Sequence, residues 1–203
     1  MSFDIAVLVS GEGTNLQALI DTVHGREGVE IVAVAASRPE AGGLRRAEAA
    51  GIDTGVFALA DYEGRAQRDV ALADWLDERG PDLVVLAGFM EVLTPEFIRR
   101  FAGRVINVHP ALLPAFPGVR AIEQALEYGV KVGGVTIHFV DEGVDTGPVI
   151  LQRALELPGA NDPAAVREAL RPLEHDLLTE AVRLIARGAV RRDPSHPRRV
   201  LVG

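Results

Sequence analysis

Over the first half of the chain, short runs that are apolar at nearly every position alternate with stretches whose apolar residues recur at helical spacing. The runs are Phe3–Val9, Val29–Ala36, 56–59 and Leu83–Leu86, and the helical stretches between them are 16–23, 44–50 and 67–78. Strands without a polar face need cover on both sides. Their alternation with helices therefore predicts an α/β protein with a Rossmann-like, mostly parallel sheet and helices on both faces. Residues 95–101 read as a short helix with Thr94 as N-cap and Pro95 in its first turn. It leads into a strand at 104–108 that Pro110 ends.

Beyond that strand the pattern changes. Three prolines between Pro110 and Gly118 require a constrained loop, and a helix follows at 122–128. Two further strands, 133–140 and 148–157, are joined by only an acidic loop at 141–147, too short for a parallel crossover, so they form an antiparallel pair. A long helix over 163–187 follows, with Asp162 as N-cap, Gly188 as its stop and Pro172 expected to kink or interrupt it. Polar, basic residues 191–199 read as a loosely ordered tail. The expected organisation is a single domain over 1–188 and a C-terminal tail over 189–203.

Composition narrows the chemistry. The chain has 203 residues, 48% hydrophobic and 25% charged, enough for one sizeable core. It has no cysteine, which removes disulfides, thiolate nucleophiles and thiolate-held metals. Its five histidines are scattered without ligand spacing, so no metal is expected. The net charge of −8 argues against a nucleic-acid partner. No run reaches the ~18 apolar residues of a membrane span, and the N-terminus lacks a basic leader pattern, so no membrane partner and a cytoplasmic location are expected.

The first strand ends in Ser10, Gly11, Glu12, Gly13, Thr14 and Asn15 and runs at once into a helix. Glycines there let the backbone approach an anion, and the first N–H groups of the helix supply donors. The turn lacks the third glycine of a dinucleotide fingerprint and the Gly-Lys-Ser/Thr of a P-loop. The alternative is a tight strand-to-helix turn with Thr14 as the cap.

A sharper feature closes the strand at 104–108. Asn107 and His109, two positions apart, leave the same face at the carboxyl end of a buried strand, the edge at which open α/β sheets bind ligands. An imidazole that titrates near neutrality and an amide N–H suit attack on a carbonyl carbon: one relays a proton, the other steadies an oxyanion. The loop holding Asp141, Glu142 and Asp145 supplies carboxylates to set beside them. Asp141 and Glu142 read mainly as a solvated turn, whereas Asp145 precedes the rigid Thr146, Gly147, Pro148 re-entry that would fix its direction. His138, flanked by Thr136, Ile137 and Phe139, is a rival base for which packing or loop anchoring is the preferred role.

These segments make the chain recognisable. Residues 9–18, 85–90, 106–118 and 138–150 resemble, in order, the folate-dependent glycinamide ribonucleotide formyltransferases of purine synthesis. The resemblance implies 10-formyltetrahydrofolate as cosubstrate, no metal, glycinamide ribonucleotide as acceptor, and Asn107, His109 and Asp145 as a catalytic trio in which Asp145 helps keep His109 charged. It implies a phosphate site at Gly11, Gly13, Thr14 and Asn15, with Glu174 on the acceptor. Folate contacts fall to Arg65, to Met90, Glu91, Val92 and Leu93, and to Asn107, Asp141, Glu142, Gly143, Val144 and Asp145. A homodimer is left open. The chain departs from the family's pattern at Glu91, where a basic residue is common, at Arg120 and Ile122, and at Arg171, Pro172 and Leu173.

Formyltetrahydrofolate hydrolases share this core, with water in place of the amine, but usually carry a regulatory domain ahead of it. Methionyl-tRNA formyltransferases add a nucleic-acid-binding domain, at odds with the acidic charge here. A non-catalytic nucleotide-binding domain would need none of the trio.

Overall fold

The computed structural model of the chain describes residues 2–157, 159 and 161–203; Met1, Pro158 and Ala160, which fall within the expected domain, lie outside the described residues. The chain divides into two compact units, 1–107 and 108–203.

The first unit contains β1 (Phe3–Val9), α1 (Thr14–Thr22), β2 (Val29–Ala36), α2 (Gly42–Ala49), β3 (Thr54–Val56), α3 (Arg65–Asp77), β4 (Leu83–Leu86) and α4 (Pro95–Arg100), and it ends within β5 (Val105–His109). The strands lie in the order β3-β2-β1-β4-β5, and every neighbouring pair is parallel. Ile5 to Val9 are wholly buried, as an apolar strand covered on both faces must be. The chain steps outward from β1 to β3 and returns to the other side of β1 at β4. With right-handed crossovers this reversal puts α1 and α2 on one face and α3 on the other. In keeping with that, α1 packs on α2 and α3 on α4. The reversal leaves a switch point at the carboxyl ends of β1 and β4, where doubly wound sheets hold their ligands.

The second unit begins inside β5 and contains α5 (Ala121–Tyr128), β6 (Val132–Phe139), β7 (Val149–Glu156), α6 (Pro163–Ala186), β8 (Val190–Arg192) and β9 (Val200–Val202). β6 and β7 are antiparallel, and their register shifts between Ile137 and His138. α6 packs on both of these strands, and Val166, Leu170, Leu177, Leu178, Ala181 and Val182 are buried along it. Asp162 caps α6 as expected, its carboxylate accepting the Ala164 N–H at 2.9 Å. Pro172 does not interrupt α6, which runs unbroken to Ala186. The ring sits on an exposed position, so water can take the carbonyl that loses its donor. The segment expected to be loosely ordered forms the β8-β9 hairpin instead.

Candidate active site

In the first unit, the glycine turn at the end of β1 is held by side chains on its flanks. The Ser10 hydroxyl lies 2.7 Å from that of Ser37 and accepts the Met90 N–H at 2.8 Å. Arg38 donates to the Ser10 carbonyl and Arg46 to the Glu12 carbonyl, each at 2.8 Å. Gly13 is the N-cap of α1, with φ of 74° and no side-chain cap bond, so Thr14 is the first helical residue and not the cap. A Cβ at Gly13 would come within 2.6 Å of the Gly43 Cα. The glycine therefore answers to helix packing and backbone twist, whatever anion its neighbours hold. Gln17 is the first residue of α1 whose N–H reaches the Gly13 carbonyl, and the helix start presents earlier N–H groups outward. Ser10, Gly11, Glu12, Gln17, Arg38 and Arg46 are among the walls of a cleft of 820 Å³ on this unit.

The segment after β4 is exposed at Met90 (59%) and Val92 (53%), as a ligand-facing strip would be. Behind it lies a pair that the sequence did not disclose. Arg68 and Asp69 on α3 are fully buried and joined at 2.5 Å, Asp69 accepts the Thr94 N–H at 2.6 Å, and Arg68 lies 4.0 Å from Glu91. Glu91, where the family pattern favours a base, thus has its own cation behind it. Adjacent charges on a surface helix read as solvated, and no local signal marks these two as buried. Arg65, at the start of α3, is exposed.

In the second unit, three of the titratable groups singled out from sequence meet. His109 is 4% exposed, and its Nε2 lies 2.9 Å from the Phe116 carbonyl. A carbonyl only accepts, so that nitrogen carries the proton and Nδ1 is turned to Asp145, whose Oδ2 is 3.4 Å away. The same carboxylate accepts the Gly118 N–H at 2.7 Å, and its Oδ1 lies 3.6 Å from His138 Nε2. Asp145 holds a left-handed φ of 53°, which an aspartate adopts at a cost when its surroundings fix it. His138 is buried, with Nδ1 2.9 Å from the Phe139 carbonyl, and the register shift on β6 falls immediately before it. It packs, as expected, and it also flanks Asp145.

The electrostatics follow from this geometry. Burial opposes the charge on Asp145, but the His138 contact, the Gly118 N–H and the two imidazoles outweigh it and pull the carboxyl down to about 2. For His109 the balance runs the other way: burial lowers its pKa, and the opposing pull of Asp145, Phe116 and Glu174 does not make up the difference. Asp145 thus favours the charged imidazole, while desolvation opposes it and holds the His109 pKa below its ordinary value. Glu174, half-buried on α6, belongs to this neighbourhood through its effect on His109. Asn107 precedes His109 by two positions on β5 and is half-buried.

The other acidic-loop residues divide as expected. Asp141 is a turn former, its Oδ1 accepting the Gly143 N–H at 3.1 Å and the Thr146 hydroxyl at 2.6 Å. Glu142 and Val144 are exposed. Among the described residues no group of three or more His, Cys, Asp or Glu side chains could hold a metal ion, and no helix is long and apolar enough to cross a membrane.

An imidazole between two acceptors is part of the equipment of acyl-type transfer to an amine or water. The chain belongs to the formyl transferase family, which it matches over residues 3–182. It is 40% identical over 202 residues to the phosphoribosylglycinamide formyltransferase of Mycobacterium tuberculosis, covering 98% of this chain and 94% of that one. Its fold is similar to that of glycinamide ribonucleotide transformylase 1 from Symbiobacterium toebii, with a TM-score of 0.94 and 43% identity over 99% of this chain and 94% of that one. It is also 43% identical, over 92% of its length, to the trifunctional purine biosynthetic protein adenosine-3 of Bos taurus, of which it spans only 19%.

Proposed function

We propose that this chain transfers the formyl group of 10-formyltetrahydrofolate to the amine of glycinamide ribonucleotide in purine biosynthesis. The observation that carries the mechanism is the placement of His109 between the Phe116 carbonyl and the Asp145 carboxylate, 2.9 and 3.4 Å from its two nitrogens. The amine nitrogen attacks the formyl carbon, and negative charge gathers on the formyl oxygen. Asn107 donates its amide N–H to that oxygen. The proton that the amine loses reaches His109 Nδ1 by way of the Asp145 carboxylate, and as an imidazolium the ring presents one N–H to Phe116 and the other to Asp145. Both acceptors are in place before the charge appears, so little reorganisation accompanies proton uptake. Collapse of the tetrahedral intermediate breaks the bond to the folate nitrogen, which leaves with a proton from His109, and the formyl amide remains on the acceptor.

In this reading Gly11, Gly13, Thr14 and Asn15 receive the acceptor's phosphate through backbone N–H groups, and Glu174 binds the acceptor. Arg65, Met90, Glu91, Val92 and Leu93 contact folate, as do Asn107, Asp141, Glu142, Gly143, Val144 and Asp145. The partners are small molecules, without nucleic acid or membrane, and the enzyme is cytoplasmic; the formal charge of −8 speaks against a nucleic-acid partner. Incubation of the pure protein with 10-formyltetrahydrofolate, with and without glycinamide ribonucleotide, tests the reading. Folate turnover that requires the amine supports it. Equal turnover without the amine overturns it in favour of a hydrolase.

A further inference from the structure

The β8-β9 hairpin has little reason to fold on its own account. Each strand has three residues, and Leu201 and Val202 remain 47% and 44% exposed. A two-stranded hairpin with so little buried apolar surface is not stable in isolation. Its turn is tied internally: Asp193 accepts the Ser195 N–H at 2.9 Å and lies 3.4 Å from Arg199. Its base is closed by the Gly203 N–H on the Ala189 carbonyl at 3.0 Å, and β9 packs on β7.

Two arginines reach outward from this hairpin, one to the end of β6 just before the acidic loop and one to the loop itself. Arg192 stacks its guanidinium over the ring of Phe139, 4.7 Å from the centroid. Arg198 donates to the Thr146 carbonyl at 2.6 Å, across 52 positions of sequence. Phe139 is the last residue of β6 before the loop, and Thr146 follows Asp145 directly. The hairpin therefore grips the loop at its entry and at its exit. Between the two grips lies Asp145 in a left-handed conformation that persists only where the surroundings over-determine it.

We propose that the C-terminal hairpin is a strap for the acidic loop, with Arg192 and Arg198 as positioning residues that hold Asp145 against His109. This rests on the reading of Asp145 as catalytic, and the test separates the two. The Arg192→Ala/Arg198→Ala double variant is compared with the full-length wild type by amide hydrogen exchange over residues 140–147 and by steady-state formyl transfer. The strap predicts faster exchange confined to that loop, with an unchanged melting temperature. It predicts a fall in kcat of roughly fivefold, the size of effect expected when a group is loosened and not removed. The KM for glycinamide ribonucleotide stays as it was. Arg198→Lys, which keeps a cationic donor, recovers part of both changes. Wild-type exchange in the loop of the double variant overturns the strap, and so does faster exchange with unaltered kcat and folate KM. If the wild type transfers no formyl group, the catalytic reading fails, while the exchange comparison still judges the grip on the loop.

Discussion

The glycine turn at the end of β1 turns backbone groups outward, whereas the acidic loop before β7 sets a side-chain charge beside two imidazoles. In the turn, Gly13 is required by the Gly43 backbone 2.6 Å from where its Cβ would be, and the arginines nearby donate to carbonyls of the turn itself. Such a site has nothing to titrate near neutrality. In the loop, two imidazoles share one carboxylate, and burial lowers the pKa of His109. On the proposed function, the contrast separates a rigid anion cradle from a site whose charge changes during the reaction. Substitutions in the first should act on binding and stability, and those in the second on turnover and its pH dependence.

The largest expected effect is in the second region. His109→Ala should lower kcat about 10²-fold or more, the scale of a lost acid–base group, with the KM for the acceptor nearly unchanged; steady-state kinetics with both substrates varied would show it. Asp145→Asn keeps a group able to accept the Gly118 N–H but removes the charge, and kcat should fall roughly tenfold or more. A fully active variant would remove Asp145 from the mechanism. In the first region Gly13→Val should cost about 2–4 kcal/mol of stability, from a left-handed φ and overlap with Gly43, read by urea unfolding. Where the variant folds, the acceptor KM should rise far more than the folate KM. The smallest effect is at Thr94→Ala, which removes the cap that accepts the Phe97 N–H at 3.4 Å; it should cost about 0.5–1 kcal/mol and leave kcat alone.

Acid stability sharpens the same contrast. Asp145 titrates at about 2 when folded, below its ordinary value near 3.8. Its contribution to stability is therefore complete above the unfolded pKa and disappears as pH falls from about 4 toward 2. His109, also depressed, makes folding less favourable as pH drops below about 6.5, because only the unfolded chain gains the proton readily. Asp145→Asn should flatten the loss between pH 4 and 2. No substitution in the glycine turn should do so.

Legibility in the sequence followed the same division between local and distant causes. β1, β2 and β4 were readable to the residue, because strands buried on both faces are apolar at nearly every position. Thr94 and Asp162 were readable as caps because capping is a contact with the next turn. Thr14 misled, since the backbone twist of Gly13 took the cap position. The pairing of Asp145 with His109 was legible only as a direction, because 35 intervening positions set the distance. Burial of Arg68 and Asp69, and the order of the basic tail, had no local signature. Both depend on partners elsewhere, Thr94 and Glu91 in one case and Phe139 and Thr146 in the other.

The central claim is that His109 rests neutral between two acceptors and becomes charged during the reaction. Nitrogen-detected NMR titration of the His109 imidazole, in the wild type and in Asp145→Asn, measures it directly. The account predicts an Nε2-protonated neutral ring at pH 7, a midpoint below 6.5, and a still lower midpoint once the carboxylate is gone. A ring already cationic at pH 7, or a midpoint indifferent to Asp145→Asn, would contradict it.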